Sequence, residues 1–384
     1  MSFSGHAYHV CKVVQREEIA IRYILEHDVE VLKAETVALS RTLLTKGRAV
    51  LQRTSIKRAI LVTGAFGQIG SELVPLLQRR YGIENVIASD LRRPARCAAN
   101  KVRIETLDCT DTQAVLDSVR RHNIGTIYHL AAMLSAAAER EPQIAWRLNM
   151  GGLHNVLEAA RQFGCRVFFP STIGAFGPST PREQTPQVTI QRPTTLYGVT
   201  KVAGELLCDY YASRYGVDTR GLRLPGVISY KTAPGGGTTD YAIEMFHYAV
   251  RGETYPCFLT DHTRLEFMYI PDVLRAILTL MEADEQRLRH RNAYNVTAMS
   301  LTPSELAVEI RKHVPHFSVS YKVDRTRQAI ANAWPSSLDD SAARTDWGWK
   351  PTFDLADMTK HMLQQLSPSL RRMREHRLQS AAHQ

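Results

Sequence analysis

Tyr197 and Lys201 form a Tyr-x-x-x-Lys pair, and on a helix that spacing puts both side chains on one face, one turn apart. An ammonium beside a phenol favours the phenolate and lowers its pKa from ~10 towards the working range. A phenolate next to an alcohol is a general base: once it takes the hydroxyl proton, hydride can leave the carbon for an acceptor. Spacing alone carries little weight, because Tyr8 and Lys12 repeat it with no strand or glycine loop nearby. Tyr197 is set apart by a strand-like run and its exit, Val167-Phe168-Phe169-Pro170-Ser171-Thr172, which places a hydroxyl 25 residues upstream.

A second constellation supplies the acceptor. The run Ala59–Thr63 leads into Gly64-Ala65-Phe66-Gly67-Gln68-Ile69-Gly70 and then a helical stretch, Ser71 to Arg80. Glycines allow a tight turn and let amides approach a pyrophosphate, while the helix start offers free N–H groups to the anion. Asp90 ends the next strand, 20 residues past Gly70; strand, loop, helix and acid together specify a dinucleotide. Asp90 can accept hydrogen bonds from both ribose hydroxyls and repels a 2′-phosphate, which favours NAD over NADP. Arg92 and Arg93 could attract such a phosphate, and the competing role for Asp90 is that of a strand-end turn residue.

The elements that must hold these residues read as an alternation. Ala59–Thr63, Val86–Asp90, Val102–Leu107, Thr126–Leu130 and Arg166–Pro170 are strand-like, each followed by a helical segment. That pattern predicts an α/β fold, a doubly wound parallel (Rossmann) sheet with helices on both faces. After about Leu224 the alternation loosens. The turn Pro234-Gly235-Gly236-Gly237, a helix over Tyr241–Arg251 and the Trp-rich segment 334–349 predict a smaller C-terminal substrate lobe. The expected organisation is an extension over 1–57, an NAD-binding domain over 58–230, a lobe over 231–366 with segments returning to the sheet, and a basic tail over 367–384.

With 384 residues, 44% hydrophobic and 22% charged, the chain can bury more than one core's worth of apolar surface. No run approaches the ~18 apolar residues of a membrane-spanning helix. The formal net charge is +10, and the tails supply six of it: 1–57 carries nine Lys and Arg against six acids, and 364–384 four Arg against one Glu. With no RNP-type aromatic segment and no Cys/His finger spacing, nucleic acid is not an expected partner. Cys11, Cys97, Cys109, Cys165, Cys208 and Cys257 are scattered, which predicts no metal site, no disulfide framework and a reducing compartment. Thr36 to Arg58 is basic and acid-free, a transit-peptide composition that predicts mitochondrial targeting; Glu17, Glu18 and Asp28 upstream are unusual for a presequence. A solvated basic helix in a cytoplasmic protein is the alternative.

The G-x-x-G-x-x-G spacing of Gly64, Gly67 and Gly70 resembles the extended branch of the short-chain dehydrogenase superfamily, which includes UDP-galactose 4-epimerase, over about Arg58 to Leu366. The resemblance implies that Gly64, Gly67, Gln68, Ile69, Gly70, Asp90 and Leu91 hold the nucleotide and that Asp108-Cys109 meets the adenine edge. It also implies that Tyr128-His129-Leu130-Ala131-Ala132 passes under the pyrophosphate and nicotinamide ribose, that Asn149 is the branch's helix asparagine, and that Leu224-Pro225-Gly226 packs on the nicotinamide. In such enzymes a Ser or Thr at the distance of Thr172 hydrogen-bonds the reacting oxygen. Thr172 is the candidate here, with Ser171 a cofactor or structural contact; a strand-end cap is the plainer role for Thr172.

A tighter resemblance rests on Leu134-Ser135 with Glu139, Leu222 to Ser229, Gly235 to Ala242, Tyr255-Pro256-Cys257-Phe258 and Asp339 to Trp349. These segments look like the short-chain L-threonine 3-dehydrogenases. That family oxidises L-threonine with NAD to 2-amino-3-oxobutyrate, which a CoA-dependent ligase cleaves to glycine and acetyl-CoA. The family's substrate serine maps to Ser135 and its loop threonine to Thr238 or Thr239. Trp334 either closes the site or is a core aromatic beside Trp347 and Trp349. Helices around Ile144–Phe163 and Leu196–Arg214 match the pair through which extended enzymes form homodimers. His262-Thr263-Arg264-Leu265-Glu266 is more polar than the family pattern. The rival expectations are a nucleotide-sugar epimerase or dehydratase and a non-enzymatic NAD-sensing module.

Overall fold

The computed structural model describes residues 58–92, 103–232, 234–291 and 293–367. The expected extension and its targeting segment, the basic tail after 367, Arg93, Cys11 and Cys97 lie outside the described residues.

Strand β1 (Ala59–Thr63) is buried along its whole length, as a central parallel strand covered on both faces must be. Its residues alternate between two cores: Ile60 and Val62 join one apolar cluster, Ala59 and Leu61 the other. Helix α1 (Gly70–Tyr81) follows, then β2 (Val86–Asp90), β3 (Arg103–Thr106), α2 (Thr112–Arg121) and β4 (Ile124–His129). Short helices α3 (Ser135–Arg140) and α4 (Pro142–Trp146) lead through a π-helical turn, Arg147–Gly151, into α5 (Gly152–Phe163). Next come β5 (Arg166–Thr172), α6 (Leu196–Tyr215) and β6 (Thr219–Leu224). The glycines Gly164 and Gly216 end α5 and α6 in the left-handed conformation.

The main sheet has seven strands in the order β10-β6-β5-β4-β1-β2-β3, all parallel, with β10 (Tyr294–Asn295) at one edge. The order reverses between β1 and β4, which opens a crevice at their carboxyl ends. Beyond β6, strands β7 (Gly226–Ile228), β9 (Leu265–Tyr269) and β11 (Met299–Leu301) form a three-stranded sheet, while β8 (Tyr255–Cys257) pairs with β12 (Val319–Tyr321). Helix α7 (Tyr241–Arg251) has the bounds its pattern predicts.

Two expectations need correction. The fifth strand runs on through Thr172, pairing Ser171 with Arg223 and Thr172 with Leu224, so both hydroxyls are held by sheet register rather than by a loop. The single helix expected over Ile144–Phe163 is interrupted by the π turn, within which Asn149 is buried.

Candidate active site

The loop after β1 is fixed by its own backbone. Gly64 has φ +65°, and a Cβ on it would lie 2.7 Å from the Ala131 amide nitrogen; on Gly70 it would lie 2.4 Å from the Gly64 carbonyl oxygen. The loop therefore presses against the β4 exit and curls onto the start of α1, where no side chain caps the helix. Beside it the Asp90 carboxylate accepts from the amides of Phe66 and Arg92, each at 3.2 Å. Glycine loop, uncapped helix start and adjacent carboxylate fit a dinucleotide.

A cavity of about 230 Å³ opens from this loop. Its lining includes Gly64, Gly67, Gln68, Ile69 and Gly70 of the loop, Ala132, Ser135, Thr172, Tyr197, Lys201 and Leu224 from the β4, β5 and β6 exits and α6, and Thr238, Thr239 and Trp334 from further along the chain. Asp90, Leu91, Asp108, Cys109, Ala131 and Asn149 do not. Leu91 is exposed. Asp108 accepts from the Thr110 amide and hydroxyl, both at 2.8 Å, and burial keeps Cys109 a thiol, pushed up to about 12. Asn149 has a bracing role: its side chain bonds both the amide (2.8 Å) and the carbonyl (3.2 Å) of Met133 and the Thr200 hydroxyl (3.1 Å), tying the β4 exit to α6.

Thr195 caps α6 through the Gly198 amide at 3.1 Å, and the Glu139 carboxylate takes the Leu196 amide at 2.7 Å. Both bonds fix the first turn, which carries Tyr197. The Lys201 ammonium donates to the Pro170 carbonyl at 2.6 Å and lies 4.5 Å from the Phe169 ring centre and 5.7 Å from that of Tyr197. The expectation that Lys201 lowers the phenol pKa is corrected here. Burial pushes Tyr197 up to about 12, with the Thr172 hydroxyl pulling the other way, and burial pulls Lys201 down to about 8. Behind them His129 bonds Thr63 at 2.9 Å; burial and Lys201 hold it neutral, down to about 3.

At the far part of the cavity the Asp240 carboxylate accepts from the amides of Gly236 and Gly237, both at 2.7 Å. The turn thereby presents Thr238, which is 2% exposed and whose hydroxyl has no hydrogen-bond partner. Thr239 instead packs its Cβ over Gly226. Trp334 lines the cavity and lies against Gly174, while Trp347 and Trp349 stack elsewhere on each other. The Gln68 amide donates to the Val227 carbonyl (2.9 Å) and the Ser229 hydroxyl (3.0 Å), joining the glycine loop to β7. Sequence reading missed Asp240 and this latch. Asp240 was visible as an acid shortly after a glycine run; nothing local signals the latch, which spans 159 residues.

The polar departure at 262–266 has structural partners: Arg264 bonds Glu305 at 2.5 Å and the Ser300 carbonyl at 2.9 Å. The long family-like segment 339–349 is also structural. Asp340 holds Arg344 (2.6 Å) and the Trp349 indole (3.1 Å), and Asp346 holds the Tyr294 hydroxyl (2.7 Å).

The profile of the NAD dependent epimerase/dehydratase family matches residues 60–297. An uncharacterized epimerase/dehydratase of Staphylococcus aureus is 51% identical over 308 residues, 80% of this chain and 96% of its own. Among solved structures, L-threonine dehydrogenase from Clostridium difficile superposes with a TM-score of 0.80 at 50% identity, covering 81% of this chain and 98% of the other. The GalE-like L-threonine dehydrogenase from Cupriavidus necator, in its holo form, gives 0.78 at 52% identity, covering 80% and 99%.

Proposed function

This chain belongs to the NAD dependent epimerase/dehydratase family and is an NAD-dependent oxidoreductase, and from that premise we propose that its substrate is L-threonine, oxidised at the β-hydroxyl to 2-amino-3-oxobutyrate. The observation that carries the reading is the Thr238 hydroxyl, buried in the cavity wall without a partner. Leaving such a group unpaired costs roughly 1–3 kcal/mol, which a substrate carboxylate would offset. Ser135, 5% exposed in the same cavity, supplies a second hydroxyl. The dehydrogenase neighbours support the same substrate.

Bound NAD would supply the hydride acceptor. Gly64, Gly67, Gln68, Ile69 and Gly70 would hold the pyrophosphate, Asp90 the adenosine ribose and Lys201 the nicotinamide ribose. Ionised to the phenolate when it acts, Tyr197 would take the proton of the threonine β-hydroxyl while Thr172 bonds the same oxygen, which would leave the hydride on the carbon to the bound acceptor as the carbonyl forms. The product, a β-keto amino acid, suits a CoA-dependent ligase as the next enzyme. Formation of NADH with L-threonine, measured by absorbance, tests the proposal; conversion of UDP-glucose to its C4 epimer, followed by chromatography because it leaves no net NADH, without turnover of threonine would replace it with epimerase chemistry, and NAD binding without turnover of either with a sensor.

A homodimer accompanies this reading. Ile144 and Trp146 on α4 and Val199, Leu206 and Tyr210 on α6 are 41–63% exposed, an apolar set that a second copy would cover. Mitochondrial placement rests on residues 36–58 alone, and a fluorescent fusion of 1–57 tests it. Among the described residues no helix is long and apolar enough to cross a membrane.

A further inference from the structure

Glu205 lies one turn beyond Lys201 and two beyond Tyr197 on α6, on the same face, and is 2% exposed. Its carboxylate takes a short hydrogen bond from the Ser171 hydroxyl, the Gln191 amide at 2.9 Å, and the Arg223 guanidinium at 2.8 Å through Nη2 and 3.1 Å through Nε. Arg223 also reaches the Gln187 carbonyl (2.7 Å) and Asn295 (3.1 Å). The partners adjoin the cavity wall. Ser171 stands between Pro170, whose carbonyl receives Lys201, and Thr172; Arg223 precedes Leu224.

We propose that Glu205 is a positioning residue for the hydride transfer: its carboxylate locks the exits of β5 and β6 against the catalytic face of α6 and supplies the negative charge that faces the Lys201 ammonium. The proposal rests on the assignment of Lys201 to the nicotinamide ribose. Burial pulls Lys201 down, and Cys208 and Glu205 oppose it; burial keeps Cys208 a thiol, which leaves the carboxylate as the opposing anion. The other titratable groups facing Lys201 are Tyr197 on its own helix and His129 on β4, the latter held neutral. Those facing Glu205 include Arg223 on β6, and Cys208 and Asp209 on α6; burial and Glu205 push the Asp209 carboxyl up.

The test is the NAD dissociation constant from about pH 6 to about pH 10, a range that spans the Lys201 titration near 8. Wild type weakens as pH rises through that value, because the ammonium is lost. Glu205→Gln should move the midpoint down by about one pH unit, so that binding is several-fold weaker near pH 8 and unchanged near pH 6, whereas Glu205→Asp, which keeps the charge, should stay close to wild type. Equal midpoints for Glu205→Gln and wild type overturn the proposal. If the circular dichroism melt shows that Glu205→Gln does not fold, Ser171→Ala decides: it removes one bond and no charge, so kcat should fall about tenfold at an unchanged midpoint, and full kcat overturns the positioning role. The NAD titration needs no substrate, so a wild type that binds NAD but does not turn over L-threonine counts against the proposed substrate alone.

Discussion

Thr172 and Thr238 line the same cavity and are held in different ways. Thr172 sits in a parallel strand, paired in register with Leu224, and its hydroxyl accepts from the Gly174 amide at 3.1 Å. Thr238 sits in a turn shaped by one carboxylate, Asp240, and its hydroxyl has no partner. The Thr172 hydroxyl is thus hydrogen-bonded within the protein, whereas that of Thr238 keeps an open valence. On the proposed reading the nucleotide wall with Thr172 carries the hydride chemistry, where geometry tolerates little error, and the lobe wall with Thr238 the choice of substrate.

The largest effect is expected from Tyr197→Phe. Turnover should fall by about 10²–10⁴ while NAD affinity, measured by calorimetry, stays within a few-fold, because Lys201 is untouched. A variant that keeps a tenth of wild-type kcat would remove the phenol from the chemistry.

On the lobe wall, Thr238→Ala should raise the Michaelis constant for threonine by about tenfold to a hundredfold, as for a lost hydrogen bond to a charged group worth ~1.5–3 kcal/mol, with that for NAD nearly constant. Thr239→Ala should do less, since Thr239 packs over Gly226. The reverse ranking in steady-state kinetics would reassign the loop contact.

Glu266 on β9 extends the contrast to stability. It is 3% exposed with one oxygen unpartnered. Burial, aided by Asp340, pushes its carboxyl up to about 8 from the ordinary 4.5. The folded state therefore holds a proton that the unfolded chain releases, and the stability this contributes below pH 4.5 is lost as pH rises through about 8. The melting temperature should drop by a few degrees over that interval, and Glu266→Gln should flatten the drop. Identical pH profiles for the two proteins would show that Glu266 ionises freely.

The smallest effect is expected from deleting residues 1–57. Arg58 anchors the start of β1 to the carbonyls of Phe163 and Gly164 at 2.7 and 2.8 Å, and the cores on both faces of the sheet draw on described residues from Ala59 onward. The truncated chain should fold and keep its NADH-forming rate; loss of either would make the extension a part of the enzyme.

Much of the nucleotide wall was legible because its determinants are local. The strand runs, the glycine loop and Asp90 obey short periodicities and fixed backbone needs, and the Tyr197–Lys201 spacing is one helical turn. The π turn was not legible, since Arg147–Gly151 departs from a regular helix in its backbone hydrogen bonds, for which its residue types carry no signal. The direction of the Tyr197 shift was not legible either, since a Tyr-x-x-x-Lys spacing says nothing about desolvation, which raises the phenol here against the pull of the Thr172 hydroxyl. The segment 339–349, the most distinctive part of the family resemblance, turned out to be a staple of buried carboxylates with Arg344, Trp349 and Tyr294.

The sequence carried the alternation of the first five strands with helices, the dinucleotide loop and the pair of residues one helical turn apart, because each depends on neighbours within a few positions. The tertiary structure adds that the Thr238 hydroxyl is buried without a partner, that Asn149 braces a loop, and that Glu205 gathers Ser171, Gln191 and Arg223. Those outcomes rest on hydrogen bonds between residues as far apart as Arg223 and Asn295, 72 positions along the chain, and a buried polar group's partner is set by which elements the fold packs around it rather than by its sequence neighbours.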